Sequence, residues 1–331
     1  GAAGSIGSEI VRQVIKHKPK KVILLDQSES GLYDLNQELL SINKNYKLEI
    51  VVGDITRKER MKNLFDKLKP EIVFHAAAYK HVPLMEVNPS EAIRTNVEGT
   101  KILADLSNKI NVEKFIFIST DKAVNPTNVM GASKRISEMY CQSLSKTTTT
   151  KFITTRFGNV LGSSGSVIPL FQKQLENGGP ITVTHESVTR YFMTIPEACR
   201  LVLEAGHMGE GGEVYVFDMG KSIKIIDLAK KMIQLAGLEI GKDIMIKITG
   251  LRPGEKMYEE LLGNDENTIG THHPKIMIGR VKQIDYKTIN KLVEELISLV
   301  KSQGNEDIVK NMKQIVPEFI SNNSEFSKLD N

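Results

Sequence analysis

Little in this 331-residue chain ties it to an oxidising compartment, a membrane or a nucleic acid. There are two cysteines, Cys141 and Cys199. Neither lies in a CxxC pair or near paired histidines, and both fall in helix-like stretches. A disulfide framework is thereby excluded, no metal site is expected, and both thiols are predicted to be buried and reduced, as in a cytosolic protein. No apolar run approaches the roughly 20 residues that cross a bilayer, and no signal peptide is present. The net charge is only +4, and no block of like charges stands out. That gives no case for nucleic acid and a weak one for an anionic ligand. Repeats and low-complexity segments are absent. What remains is an ordinary globular composition, 40% apolar and 25% charged. Its length suits one large domain or two coupled lobes.

The chain is organised around the stretch from Ile118 to Lys134. A β-branched run ends in Ser119-Thr120-Asp121-Lys122, an Asn/Pro loop follows, and a helix then carries Met130 and Lys134 on one face. Ligands of open α/β sheets sit at the carboxyl ends of strands, so Thr, Asp and Lys side by side there point to chemistry. The plainer reading is an exposed Asp-Lys pair after a strand.

Gly1, Gly4 and Gly7 form G-x-x-G-x-x-G, with Ser5 and Ile6 inside it, ahead of a helical pattern over 8–16. Glycines at a helix start let backbone N–H groups approach a pyrophosphate. Such a turn follows a buried strand, and that strand is missing from this stretch. A buried strand over 21–25 ends at Asp26, spaced to accept from an adenosine ribose. Asp26 would repel a 2′-phosphate, which favours NAD over NADP; alternatively it caps a turn with Ser28. Asp54 and Ile55 close the next strand and suit an adenine edge and face, though Asp54 can also cap the helix over 58–68. After the strand at 71–75, Ala76, Ala77 and Ala78 leave room for a flat dinucleotide beside the backbone, ahead of Lys80. Asn96 lies inside a long helical pattern over 88–109, where a buried amide needs partners. Further strands are expected at 115–119 and 151–156. This alternation over 1–157 implies a doubly wound parallel α/β sheet. A core over 1–165, a smaller mixed lobe over 166–320 with segments returning to the core, and a disordered polar tail over 321–331 are expected.

Together these residues resemble an extended short-chain dehydrogenase/reductase with a Rossmann-type core. Ser119 to Lys134, with Arg156-Phe157-Gly158-Asn159-Val160 and Arg252-Pro253-Gly254-Glu255-Lys256, is similar to the UDP-N-acetylglucosamine 4,6-dehydratases of bacterial polysaccharide and glycan biosynthesis. The superfamily's Tyr-x-x-x-Lys has Met130 in place of the phenol here, and a thioether is no base. That pattern resembles the larger, membrane-anchored branch, in which a catalytic half like this follows transmembrane helices. The resemblance implies tightly bound NAD, a cytoplasmic site at the inner membrane through a region outside this chain, and a homo-oligomer.

It also implies oxidation at sugar C4, loss of water across C5/C6 and return of hydride to C6. Lys122 is then the base at C5 and Asp121 the acid at the C6 hydroxyl. Thr120 relays the C4 hydroxyl proton, Met130 packs by the reactants, and Lys134 holds the nicotinamide ribose. Lys134 could instead be a solvated helix lysine, a role Arg135 suits better. Lys80, Asn159, Arg190, Arg252 and Glu255 are the candidates to bind substrate, and Arg190 alternatively forms a structural ion pair. The rivals are a UDP-sugar 4-epimerase and a catalytically silent NAD-binding module.

Overall fold

The computed structural model describes residues 1–263, 267–301 and 304–330. Its first half alternates as the hydrophobic pattern requires. Helix α1 (Ser5–Val14) leads to β1 (Val22–Asp26), α2 (Glu29–Ile42), β2 (Leu48–Val52), α3 (Lys58–Leu68) and β3 (Ile72–His75). Short helices α4 (Val82–Val87) and α5 (Pro89–Ala92) follow. A π turn over Ile93–Glu98 then runs into α6 (Gly99–Lys109), β4 (Lys114–Ile118), α7 (Val129–Ser145) and β5 (Lys151–Arg156).

Strands β3, β4, β5 and Val214–Phe217 run parallel in one sheet, which Ile276–Arg280 and Asn267–Gly270 extend antiparallel. Strands β1 and β2 form a separate parallel pair. Gly1 and Ala2 lie between that pair and the main sheet: the Ala2 amide donates to Leu25 O at 3.1 Å, and a Cβ on Gly1 would stand 2.4 Å from the Ala77 nitrogen. The register Ile118↔Thr155 brings the ends of β4 and β5 level. Past them, the Ser119 amide donates to Thr155 O and the Asp121 amide to Phe157 O. The end of one strand is thus laced to the end of the next, which fixes where Asp121 and Lys122 point.

Helix α7 is buried from Val129 to Leu144 despite its many small and polar residues. Asn128 caps it, accepting from the Gly131 amide at 2.7 Å. Its first turn abuts the strand-end loop so closely that a Cβ on Gly131 would lie 2.1 Å from the Lys122 carbonyl oxygen. Small side chains on α7 are therefore a packing requirement, and they are why the helix lacks an obvious apolar stripe in sequence.

The second half contributes to separate apolar clusters. A small lobe with its own apolar cluster, including Phe171, Ile181, Val183, Ile225 and Ile233, is built from Val167–Glu176, Ile181–Val183, Ile225–Leu235 and Ile246–Ile248. Helices Tyr286–Leu299 and Asn305–Ile315 return to cover α7 and share the main core. The tail expected to be disordered is ordered over its described residues, with a 3₁₀ turn at Glu325–Leu329; Asn331 lies outside them. Phe319 and Phe326 anchor it at 2% and 1% exposure. Its polar residues, read as a sign of disorder, have partners: Asn322 Nδ2 donates to Glu255 O and Ser324 Oγ to Glu86 Oε2, each at 2.8 Å. Its backbone bridges two loops. The Asn322 amide donates to Thr127 O, and Asn322 O accepts from the Gly254 amide. Both cysteines are buried and free. Among the described residues no helix is long and apolar enough to cross a membrane.

Candidate active site

Two adjoining regions gather the predicted residues. The first is a cleft of about 240 Å³ lined by Gly1, Gly4, Asp26, Asp54, Ile55 and Ala76–Ala78, with Tyr79 and Thr95, which sequence reasoning missed. A Cβ on Gly7 would stand 1.9 Å from the Gly1 carbonyl oxygen, so the turn closes only with glycine there. Helix α1 has no side-chain cap and no acid in its first turn, leaving its N-terminal dipole open to an anion. Asp26 accepts from the Ala3 and Ser28 amides, each at 2.9 Å, so it both shapes the turn and presents a carboxylate at the rim. Asp54 Oδ1 accepts from the Thr56 amide and hydroxyl at 2.8 Å. Ser5 lies nearer the second lobe, its Oγ accepting from the Ser164 amide at 3.2 Å, and Ile6 packs against the second core cluster. Asn96, fully buried in the π turn, accepts from the Tyr79 amide at 2.8 Å and donates to Tyr79 O at 3.0 Å and Ser133 Oγ at 2.9 Å. It ties the β3 end to α7. A glycine turn at an uncapped helix, two acids at strand ends and an alanine floor fit a dinucleotide with an unphosphorylated ribose.

The second region is the strand-end cluster. Asp121 is fully buried, and its Oδ1 accepts from both Thr120 Oγ1 and Lys122 Nζ at 2.9 Å. Among the described residues its Oδ2 has no partner. Lys122 Nζ also donates to Asn159 Oδ1 at 3.2 Å and stands 3.5 Å from Glu259 Oε1. Burial works to lower the Lys122 pKa, but Asp121 and Glu259 outweigh it, and the net direction is up. Lys122 is therefore an ammonium at rest. Asn159, expected at the nucleotide, instead holds this lysine. Lys80 is exposed, its amine 3.4 Å from Ser163 Oγ and held below its ordinary pKa by partial burial and then by Lys122.

Arg190 and Glu255, both assigned to substrate, are engaged with one another: Nη2 donates to Oε1 at 3.1 Å. Arg190 also donates to the Thr189 and Met257 carbonyls, and Glu255 accepts from Thr184 Oγ1 and the Arg252 amide. This set is a scaffold for the loop. The Arg252 side chain remains 56% exposed, its Nε donating to Glu255 Oε2 at 3.2 Å. Glu259 was missed in sequence because only the tertiary fold brings it to Lys122.

Met130 is 3% exposed in the main core, and Lys134, one turn on, is 5% exposed with Nζ 3.9 Å above the Phe117 ring. Burial drives the Lys134 pKa down to about 7, against an upward pull from Glu138. The unfolded chain binds more protons than the folded one between about pH 7 and the ordinary value of 10.5, so stability rises with pH across that window. Below pH 7 the penalty is complete. Lys134→Met in the ligand-free protein is therefore expected to raise the melting temperature at pH 6 and lose that advantage by pH 10.5, as thermal melts at the two pH values would show. The lost cation–π contact, ~0.5–2 kcal/mol, is the smaller effect.

A larger cavity of about 950 Å³, between α1 and the helix Ile195–Met208, contains none of these residues. Volume therefore does not mark the site; converging polar groups do.

A parallel sheet with a glycine turn at its first helix, a Thr-Asp-Lys strand end, and a buried lysine one turn into the helix that follows define the class: an extended short-chain dehydrogenase/reductase. Within it, the chain belongs to the family described as polysaccharide biosynthesis protein, whose pattern matches residues 1–281. It is 54% identical over 301 residues to the capsular polysaccharide biosynthesis protein CapD of Staphylococcus aureus, covering 90% of this chain and 50% of that protein. The chain thus spans about half the length of that relative. It is 32% identical to the UDP-N-acetylglucosamine 4,6-dehydratase (inverting) of Campylobacter jejuni, covering 81% and 77%. A UDP-glucose 4-epimerase of Rickettsia canadensis matches at 34%, covering 80% and 77%. Among solved structures, Pen from Bacillus thuringiensis superposes with a TM-score of 0.76 at 33% identity, covering 89% of this chain and 95% of that one.

Proposed function

We propose that the chain is the catalytic part of a nucleotide-sugar 4,6-dehydratase acting on UDP-N-acetylglucosamine with bound NAD. The single observation that carries the reading is the buried Asp121–Lys122 pair, a 2.9 Å acid–base contact that an epimerase does not need. Gly1, Gly4, Gly7, Asp26, Asp54, Ile55, Ala76–Ala78 and Lys134 would hold the dinucleotide. The chemistry NAD supplies when bound is reversible hydride uptake, with no net oxidation once the hydride is returned.

The chain's own groups manage the protons. Thr120 Oγ1, already bonded to Asp121 Oδ1, passes the C4 hydroxyl proton to that carboxylate. With C4 at the ketone level, C5–H is acidic and Lys122 removes it. The C5 electron pair forms the C5–C6 double bond as the C6–O bond breaks, and Asp121 gives its proton to the departing hydroxide. Met130 takes no proton and supplies an apolar wall. Lys134, less than fully protonated near neutral pH, gains charge when ribose hydroxyls and a developing alkoxide stand beside it.

The test is incubation with UDP-N-acetylglucosamine in deuterated water. A 4-keto-6-deoxy product one water lighter, with deuterium at C5, is expected. A C4 epimer of unchanged mass would replace this reading with the epimerase, which the Rickettsia relative supports. Bound NAD without turnover would favour the silent module.

A further inference from the structure

Lys122 presents a difficulty. A base for C5–H needs a free lone pair, yet the resting site holds this lysine as an ammonium between two carboxylates. Asp121 cannot take its spare proton, because that carboxylate receives the one from the C4 hydroxyl. A second acceptor is required, and the fold provides one. Glu259 has a side chain only 3% exposed, with Oε1 3.5 Å from Lys122 Nζ. Among the described residues its Oε2 is buried with no partner. The carboxylate therefore has an open acceptor position beside the lysine.

Other groups around the lysine do not compete. Arg190 Nε lies 3.6 Å from Glu259 Oε1 and keeps that carboxylate in place. Asn159 Oδ1 is a neutral acceptor of the Lys122 hydrogen bond. Lys80 contributes only positive charge. Asp121 and Glu259 are the two anions facing Nζ, one for each proton that must be stored.

We propose that Glu259 is a positioning residue that sets the proton on Lys122: it takes the ammonium proton before elimination and returns it afterwards. The inference rests on the dehydratase reading. At rest the cluster is Asp121⁻, Lys122-NH₃⁺ and Glu259⁻. The C4 hydroxyl proton goes to Asp121 through Thr120, and the Lys122 proton goes to Glu259 Oε1, giving Asp121-H, Lys122-NH₂ and Glu259-H. Elimination moves the C5 proton onto Lys122 and the Asp121 proton onto the departing hydroxide. Lys122 then delivers a proton back to C5 as hydride reaches C6, and Glu259 returns its proton to Lys122. Every proton is accounted for, and the resting charges are restored without a solvent donor. The 3.5 Å gap needs to close by only a few tenths of an ångström, within the looseness of ligand-free sites.

The experiment compares the chain as it stands with Glu259→Gln and Glu259→Asp, with melting curves as the check of folding. The first measurement is nitrogen-detected NMR titration of Lys122 Nζ, assigned by its absence in Lys122→Arg. Glu259→Gln is expected to move that titration to lower pH, since an anion facing the ammonium is gone. An unmoved titration overturns the proposal whether or not the protein turns over. The second is the pH profile of UDP-N-acetylglucosamine dehydration. The unaltered chain is expected to be flat between pH 6 and about 8.5. Glu259→Gln should fall roughly 10²-fold at pH 7, the scale of one lost proton-transfer group, and recover as pH rises and solvent takes the proton instead. KM should stay within about threefold, and Glu259→Asp should restore most of the flat profile. A uniform loss at every pH, or rates within twofold of the unaltered chain, overturns the store. If the unaltered chain forms no 4-keto-6-deoxy product, the dehydratase reading fails, and the titration alone then decides whether Glu259 governs Lys122.

Discussion

Lys122→Met is expected to lower dehydration by roughly 10²–10⁴-fold, the range for loss of a positioned acid–base group, while NAD still binds. Methionine keeps the length of the side chain and removes the amine that reaches both Asp121 Oδ1 and Asn159 Oδ1. Asp121→Asn is the cleaner companion, because an amide oxygen still accepts from Thr120 and Lys122 but has no proton for the departing hydroxide. Both variants should form 4-keto-6-deoxy product at least about 10²-fold more slowly by mass spectrometry, while equilibrium dialysis against NAD shows binding close to that of the unaltered chain. Normal turnover in either would remove the acid–base assignment. The Lys122 variant also leaves two buried carboxylates facing one another. A lower melting point is therefore expected from it and not from Asp121→Asn.

Arg156→Met is expected to destabilise the molecule's interior strongly. Arg156 ends β5 with no exposed surface and meets Glu138 of α7 through two bonds, Nε–Oε1 at 2.8 Å and Nη2–Oε2 at 2.7 Å. Removing one member of a buried pair costs about 3–5 kcal/mol, because the other charge stays behind. Glu138 keeps Arg135, whose Nη1 is 3.3 Å away, which puts the loss at the lower end. A fall in melting temperature of roughly 5–10 °C is the expected reading. Replacing Glu138 by Met as well should recover much of it, since a buried pair exchanged whole for apolar groups is near neutral. Burial alone would raise the Glu138 pKa, but Arg156 and Arg135 overcome it and hold the carboxyl below its ordinary 4.5. Its contribution is therefore full above pH 4.5 and lost as pH falls below that value, so variant and unaltered chain should converge in strong acid. The consequence reaches function because α7 carries Lys134 one turn from Glu138.

Much of the site was legible because its members are neighbours in sequence or follow the sheet's repeating logic. Thr120, Asp121 and Lys122 are consecutive at a strand end, and the glycines, Asp26, Asp54 and the alanines each close one βα unit. The strand at 151–156 has its expected bounds. The strand Val214–Phe217, central in the main sheet, was unread because its partner β5 lies far back in sequence and the pattern around it had loosened. Arg190 and Glu255 show the opposite limit. Charge and loop position suggested ligand contact for both, with a structural ion pair as the alternative for Arg190, and only three-dimensional distance reveals that its partner is Glu255. Glu259 escaped for the same reason, since nothing in Tyr258-Glu259-Glu260 marks one acid as buried and its neighbour as partly exposed. Polar composition misjudged the tail, where asparagine and serine side chains find partners in the protein instead of water.

That tail has a practical side. Its backbone clasps the loop before α7 on one side and the Arg252 loop on the other. Asn322→Pro, which removes the amide bonded to Thr127 O, would therefore loosen both loops while the sheet beneath kept its spectroscopic signature. A variant that looks intact by circular dichroism yet fades in activity then points to the clasp and not to the sheet.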